Sequence, residues 1–342
     1  MVTISVVMPM YNTAVPFLKE AVESILNQTF GDFEFIIIDD GSTNDSPAYL
    51  DALTDPRIRI IRNKENIGIT KSLNLGFRAA QGKYIARMDS DDISFPERFE
   101  KQVAFMDSHP DVIACGTRIA NLGTQPSPPK AAVNNMNVYR VRMLFCNPGP
   151  KHSTAFFRLE KMNQYHIEYD ERLVYAQDYG LWMTISQLGQ ICILPEVLHY
   201  NRVHSGQISI EHREKQIQCD KMTQRKLLTQ LVGNVTEEEL DEYYVCSTGY
   251  YAEATITPQI ASLYDRMISA NKQKRIYDQA ILKQKIIEIK KRLIDRTFTK
   301  DMSKIEKILL IYRFLPFIPA TQMTKDMITM KIQSIKRCGR FK

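Results

Sequence analysis

Strand-like and helix-like stretches alternate over the first ninety residues, and this alternation restricts the fold more than any other feature of the chain. Thr3–Met8 (TISVVM) and Phe33–Ile38 are short apolar runs rich in β-branched residues, the pattern of strands buried on both faces. Arg57–Arg62 (RIRIIR) alternates as a third strand, and Tyr84–Met88 reads as a fourth. Between them, Pro16–Thr29 sets Leu18, Val22, Ile25 and Leu26 on one helical face, and Ile69–Ala80 forms a second helix. The pattern predicts an α/β fold, a mostly parallel sheet with helices on both faces. Pro9-Met10-Tyr11-Asn12 then becomes a loop at the C-terminal edge of the first strand, where open α/β sheets bind ligands. The second strand ends in Asp39-Asp40-Gly41-Ser42-Thr43, with Gly41 for a sharp turn and Ser42 or Thr43 available as a cap.

The fourth strand runs into Asp89-Ser90-Asp91-Asp92, three carboxylates within four residues. Carboxylates this close repel unless a cation or a set of donors lies between them. A hard divalent ion with oxygen ligands meets that need and often bridges substrate phosphates. The plainer alternative is an acidic loop at the start of the next helix. The chain's 342 residues suffice for one large catalytic domain and an appendage. Six scattered cysteines without a C-x-x-C pair argue against a disulfide framework or zinc knuckle and fit a reducing, cytoplasmic setting. No basic leader precedes the first strand, and no apolar stretch is long enough to span a bilayer.

Over residues 1–110 the chain resembles family 2 glycosyltransferases, which have a GT-A fold. The resemblance rests on Val7-Met8-Pro9-Met10-Tyr11-Asn12, Ser24–Thr29, Phe35–Thr43, Asn66-Ile67-Gly68 with Asn74 and Gly76, and the D-x-D of Asp89-Ser90-Asp91, in the family's order and spacing. It implies that Pro9, Tyr11 and Asn12 line a nucleotide, and that Asp40 accepts a hydrogen bond from the base, usually uracil, whose N3–H only donates. It places Asn66 and Ser90 among the donor-binding residues. It also implies that Asp89 holds ribose or shares a metal and that Asp91 ligates Mn²⁺ or Mg²⁺. Lys71 falls where relatives cross the nucleotide, and reads equally as an exposed helix lysine. Farther on, Asn147–Arg158 resembles the family's strand beside the acceptor; His152 there contacts either an acceptor or a backbone carbonyl. Gln177-Asp178 stands where relatives carry an acidic pair, so Asp178 is expected as the catalytic base, although an aspartate at a helix start is also a natural N-cap. Tyr200–His204 resembles the Y-R-x-H segment, implying that Arg202 neutralises a diphosphate and His204 completes the metal shell.

Residues 121–136, rich in Pro, Asn, Gly and Ser, read as a mobile loop, either a lid or plain surface. From Glu211 the chain is expected to be helical: 212–232, a capping box at Thr236–Glu239, a helix opened by Thr257-Pro258, and one long basic helix over Ala270–Arg296. Ile305–Ala320 is apolar, broken by Pro316 and Pro319, and suited to a membrane interface or to packing on the domain itself. Residues 271–342 carry 19 Lys/Arg against 6 Asp/Glu, whereas residues 1–270 carry 26 against 33. That basic tail suggests an anionic surface; with an acidic body and no recognition motif, a bilayer fits better than nucleic acid.

The expected organisation is a GT-A catalytic domain over 1–210 and a helical basic extension over 211–342. The expected activity is inverting, metal-dependent transfer from a UDP-sugar to a saccharide or lipid-linked acceptor in surface-polysaccharide synthesis, on the inner face of the membrane. Two alternatives stand beside it. A sugar nucleotidyltransferase would show a Gly-rich phosphate loop after the first strand, and residues 9–16 hold no glycine. A non-catalytic nucleotide-sugar-binding scaffold at the membrane would have dispensed with Asp91 or Asp178.

Overall fold

The computed structural model describes residues 2–128, 134–204, 212–249, 251–298 and 302–314. Contacts divide the chain into two units, Met1–Gly233 and Asn234–Lys342.

The first unit is built on β1 (Ile4–Met10), whose every residue is buried. It pairs in parallel with β2 (Phe33–Asp39) on one side and β4 (Tyr84–Arg87) on the other, and β2 pairs in parallel with β3 (Ile58–Arg62). Beyond β4 the sheet turns mixed through β5 (Ile93–Ser94), β6 (Val112–Asn121), β7 (Phe156–Arg158) and β8 (Gln190–Asn201), giving the order β3-β2-β1-β4-β7-β6-β8-β5. Strands β4 and β6 each run antiparallel to β7, β6 runs parallel to β8, and β5 antiparallel to β8. Side chains alternate across β1 and β2. Ile4, Val6, Met8, Phe33, Phe35 and Ile37 face α1 (Val15–Leu26) and α4 (Arg98–Ser108), through Leu18, Val22, Ile25, Phe99 and Met106. On the other face Val7 and Ile38 meet α3 (Ile69–Ala79) at Gly76, where a Cβ would lie 2.5 Å from Val7 and 2.8 Å from Ile38.

Two differences from the sequence reading bear on the first loops, and one expectation there holds. Pro9 lies inside β1 and is buried, not in the loop. Its missing N–H costs no ladder bond: Val7 O still takes the Met88 N–H, but β4's pairing ends at Arg87, so Pro9 on that side has no strand opposite. Ser42 caps nothing; α2 (Ser46–Asp51) has Asp45 at its N-cap, and the Ser42 hydroxyl instead accepts the Asn12 N–H at 2.9 Å. Gly41 has φ +74°, and a Cβ there would come within 2.6 Å of the Glu65 backbone, so only glycine fits.

Farther along, the stretch 121–136 begins as the end of β6 and ends at α5 (Met136–Met143), capped by Asn135. Ser127 and Pro128 are held by the Arg118 guanidinium; residues 129–133 lie outside the described residues. Asn147–Arg158 is not one strand but a loop, a 3₁₀ turn at His152–Thr154 and the three residues of β7, followed by α6 (Leu159–Gln164). Helix α7 (Gln177–Leu188) leads into β8, and α8 (Arg213–Val232) belongs to the first unit. Residues 205–211, which include Ser209 and Glu211, lie outside the described residues.

The second unit holds α9 (Glu237–Thr248), α10 (Pro258–Lys274), α11 (Gln279–Thr297) and α12 (Lys304–Phe314). The Thr236–Glu239 capping box is present, and Thr257 caps α10. The single helix expected over 270–296 is two. Arg275 is left-handed at φ 53°, Asn271 binds both N–H and C=O of Tyr277, and Asp278 caps α11, so local side-chain bonds outcompete continuous helix. The part of Ile305–Ala320 beyond Phe314 lies outside the described residues. Among the described residues no helix is long and apolar enough to cross a membrane.

Candidate active site

Parallel strands β2, β1 and β4 are neighbours and end on one edge, so the segments following Asp39, Met10 and Arg87 converge there. Asn12, at φ 48°, a conformation asparagine tolerates, accepts the Thr43 N–H on Oδ1 at 2.8 Å. Thr13 meets Ser90, hydroxyl to hydroxyl, at 2.7 Å. Each loop is thereby tied to the next.

Asp40 is buried and already accepts from Asn63 Nδ2 at 2.7 Å, Ile67 N–H at 3.0 Å and Gly68 N–H at 2.9 Å. A carboxylate has about four acceptor positions, so roughly one is left for a ligand. Asn66 closes a turn by accepting the Gly68 N–H at 3.0 Å. Tyr11 is half exposed, and Lys71 stands exposed in the first turn of α3.

One oxygen from each of Asp89, Asp91 and Asp92 lies within 4.8 Å of the others. Asp91 Oδ2 is 2.8 Å from His204 Nε2. Asp92 is buried and bonded to His199 Nε2 at 2.8 Å and the Arg202 N–H at 2.9 Å. Burial pushes the Asp92 carboxyl up, but the His199 and Arg202 bonds outweigh it and hold it below its usual range. Burial likewise pushes the His199 imidazole below its ordinary value, against the Asp92 bond and charge, which raise it. Asp89 is pushed up to about 7 by burial, against the opposing Arg87 charge and with the Asp92 and Asp91 charges adding to the rise. Arg202 is committed to this loop: Nε donates to Asp91 O at 2.8 Å, Nη2 pairs with Glu20, and the guanidinium lies 4.4 Å over the Phe17 ring.

Beneath the acidic loop lies Arg87, 3% exposed, paired with Asp89 through Nη2, while its Nε and Nη1 have no partner among the described residues. Arg98, also buried, donates to Ser153 O at 2.9 Å, and burial beside the Arg87 charge lowers its pKa to about 9. Three carboxylates with an oxygen each within 4.8 Å of the others, and an imidazole against Asp91, make a donor set that fits a hard divalent cation. Arg87→Met should lower stability by about 3 kcal/mol, the scale of removing one partner of a buried pair, read as a fall in melting temperature. An unchanged melting temperature would show that Arg87 does not anchor the loop.

Asp178 is in the first turn of α7 but is not its cap; Ala176 holds that position, without a side-chain bond. The carboxylate accepts the Tyr179 N–H at 2.8 Å and Asn147 Nδ2 at 2.9 Å. Burial raises its pKa, opposed by these two donors and by the charges of Arg87 and Lys151. His152 bonds the Tyr169 hydroxyl at 2.7 Å instead of a backbone carbonyl, and burial holds it well below its ordinary pKa. Asn74 is buried and binds both the N–H (2.9 Å) and C=O (3.0 Å) of Tyr169. Asn74→Ala should cost about 3 kcal/mol in a denaturant melt, because both backbone groups lose their partner; a loss under 1 kcal/mol would mean another group satisfies them.

The sequence reading gave no role to Arg87, His199 or Asn147, and none to Asp92 beyond its place in the acidic cluster. The signal for Arg87 was an arginine within an apolar strand; His199 and Asn147 carried none.

Residues 5–165, just under half of the chain, match the family described as glycosyl transferase family 2. A glycosyltransferase of Haemophilus influenzae with no assigned role is 32% identical over 244 residues, 68% of this chain and 75% of that one. The amylovoran biosynthesis glycosyltransferase AmsE of Erwinia amylovora is 30% identical over 220 residues, 60% of this chain and 78% of that one. The fold is similar to that of S. aureus TarS 1–349, solved in complex with UDP-GlcNAc, with a TM-score of 0.58 at 17% identity, covering 84% of this chain and 89% of that one. The chain belongs to the family 2 glycosyltransferases and has their GT-A fold.

Proposed function

We propose that the first unit is an inverting glycosyltransferase that uses a UDP-linked sugar and a divalent metal, with a saccharide or lipid-linked saccharide as acceptor in surface-polysaccharide synthesis. The observation that carries this reading is the Asp89/Asp91/Asp92 cluster at the β4 edge together with a half-buried carboxylate of raised pKa, Asp178, at the start of α7. Asp91 and His204, with Asp89, would hold Mn²⁺ or Mg²⁺, which when bound offsets charge on the departing diphosphate. The loop at Tyr11 and Asn12, with Asp40 and Asn66, would take the nucleoside, and Lys71 the diphosphate. Arg202 acts by fixing the Asp91 backbone. Asp178 accepts the proton of the acceptor hydroxyl as that oxygen attacks the anomeric carbon, and the sugar–diphosphate bond breaks on the opposite face. UDP-GlcNAc in TarS and polysaccharide synthesis by AmsE support donor and acceptor class. The described cysteines, all free, support a cytoplasmic location.

Incubation with UDP-Glc, UDP-Gal and their N-acetyl forms, followed by assay for free UDP, tests the reading. Release from at least one donor is expected. Pyrophosphate-dependent formation of a nucleotide sugar, or binding of all four without turnover, would favour the nucleotidyltransferase or the scaffold instead.

A further inference from the structure

Helix α12 carries apolar residues on two sides, with Lys304, Glu306, Lys307 and Arg313 interspersed. Ile311 and Phe314 are buried on one side, yet on the other Ile305 is 70%, Leu309 62% and Tyr312 47% exposed, with Ile308 half-buried at their margin. Positions 305, 309 and 312 follow helical spacing, so they form one continuous stripe. The chain that follows, residues 315–342, holds six Lys/Arg and one Asp/Glu. Apolar stripe and adjoining positive charge together are the two signals that bind a protein reversibly to an anionic interface, where either alone is marginal.

We propose that the Ile305/Leu309/Tyr312 face of α12 is a docking surface for an anionic lipid bilayer, with the three side chains entering the headgroup–acyl boundary. The proposal deepens the reading of a lipid-linked acceptor, on which it rests for its purpose but not for its test.

The experiment is co-sedimentation of the full chain with vesicles of phosphatidylglycerol and phosphatidylcholine, against phosphatidylcholine alone, at low and at high salt. Parent and Ile305→Gln/Leu309→Gln double variant are compared, with melting temperature, oligomeric state and vesicle-free UDP release measured on both. The parent should sediment with anionic vesicles only and be released by salt. The double variant should bind roughly 30-fold more weakly, from the apolar area withheld, with melting temperature and UDP release unchanged. No binding of the parent at low salt overturns the proposal, as does a double variant that binds as well as the parent. A clear drop in the variant's melting temperature would show that the chain covers its own stripe. Loss of a parent dimer in the variant would assign the face to a second copy. UDP release absent while vesicle binding holds would refute the transferase reading and leave the docking surface standing.

Discussion

Asp178→Asn is expected to cut the turnover rate by roughly 100-fold or more while leaving UDP-sugar affinity within about twofold. Asparagine keeps the size and can still accept the Tyr179 N–H, but it takes no proton at neutral pH, and general-base catalysis is worth about 10²–10⁴-fold. One hydrogen bond suffers. Asn147 Oδ1 accepts the Gly149 N–H, so the Asn147 amide is fixed with its NH₂ toward position 178, and the stability cost should be about 1 kcal/mol. Because Ala176 is the helix cap, Asp178→Ala should cost little more, and the two variants should match in turnover. The pH profile adds a second reading. Burial raises the Asp178 pKa, and a base works only ionised, so turnover should fall as pH drops through a value above the usual carboxylate range. Near-normal turnover in Asp178→Asn would move the base elsewhere, with Glu171 and His152 next in line.

Asp91→Ala should abolish transfer, with a loss of 10²-fold or more, and leave the fold intact. Its side chain is a quarter exposed and its described partner is His204 Nε2, so little packing depends on it. The neighbouring anchors remain: Asp92 keeps His199 and the Arg202 N–H, and Arg202 keeps the Asp91 carbonyl. Binding of Mn²⁺, followed by calorimetry, should weaken in the variant in step with activity if Asp91 is, as proposed, one of few oxygen ligands at the site. Variant activity that persists in the presence of a chelator would remove Asp91 from the metal role.

The parallel half of the fold was legible because strands buried on both faces cannot disguise their apolar runs. β1, β2 and the strand before Asp89 stand where the sequence places them, although β1 runs on through Pro9 and Met10. In the mixed half β6 shows its own apolar run, but β5 has two residues and β7 three, too short for any periodicity, and β8 carries Pro195 and polar residues. The break at Arg275–Tyr277 escaped notice because it depends on an Asn271 side chain folding back on the backbone, and no glycine or proline marks it. In the site, the sequence shows which residues are chemical but not which are already occupied. Asn74 and Gly76, part of the family resemblance, prove to be structural, one holding Tyr169 and the other admitting the sheet. Asp40, expected to face the base, spends most of its capacity on the loop at 67–68. Arg87, paired with Asp89 two residues on and lowering the Asp178 pKa by its charge, went unassigned because an arginine in an apolar strand does not by itself name its partners.

The most direct test of a metal-held donor at this edge is UDP release by the unmodified chain before chelation, after it, and after Mn²⁺ or Mg²⁺ is returned. Release should be lost with the chelator and regained with the metal. Undiminished release after exhaustive chelation would contradict the assignment of Asp89, Asp91 and His204 to a cation.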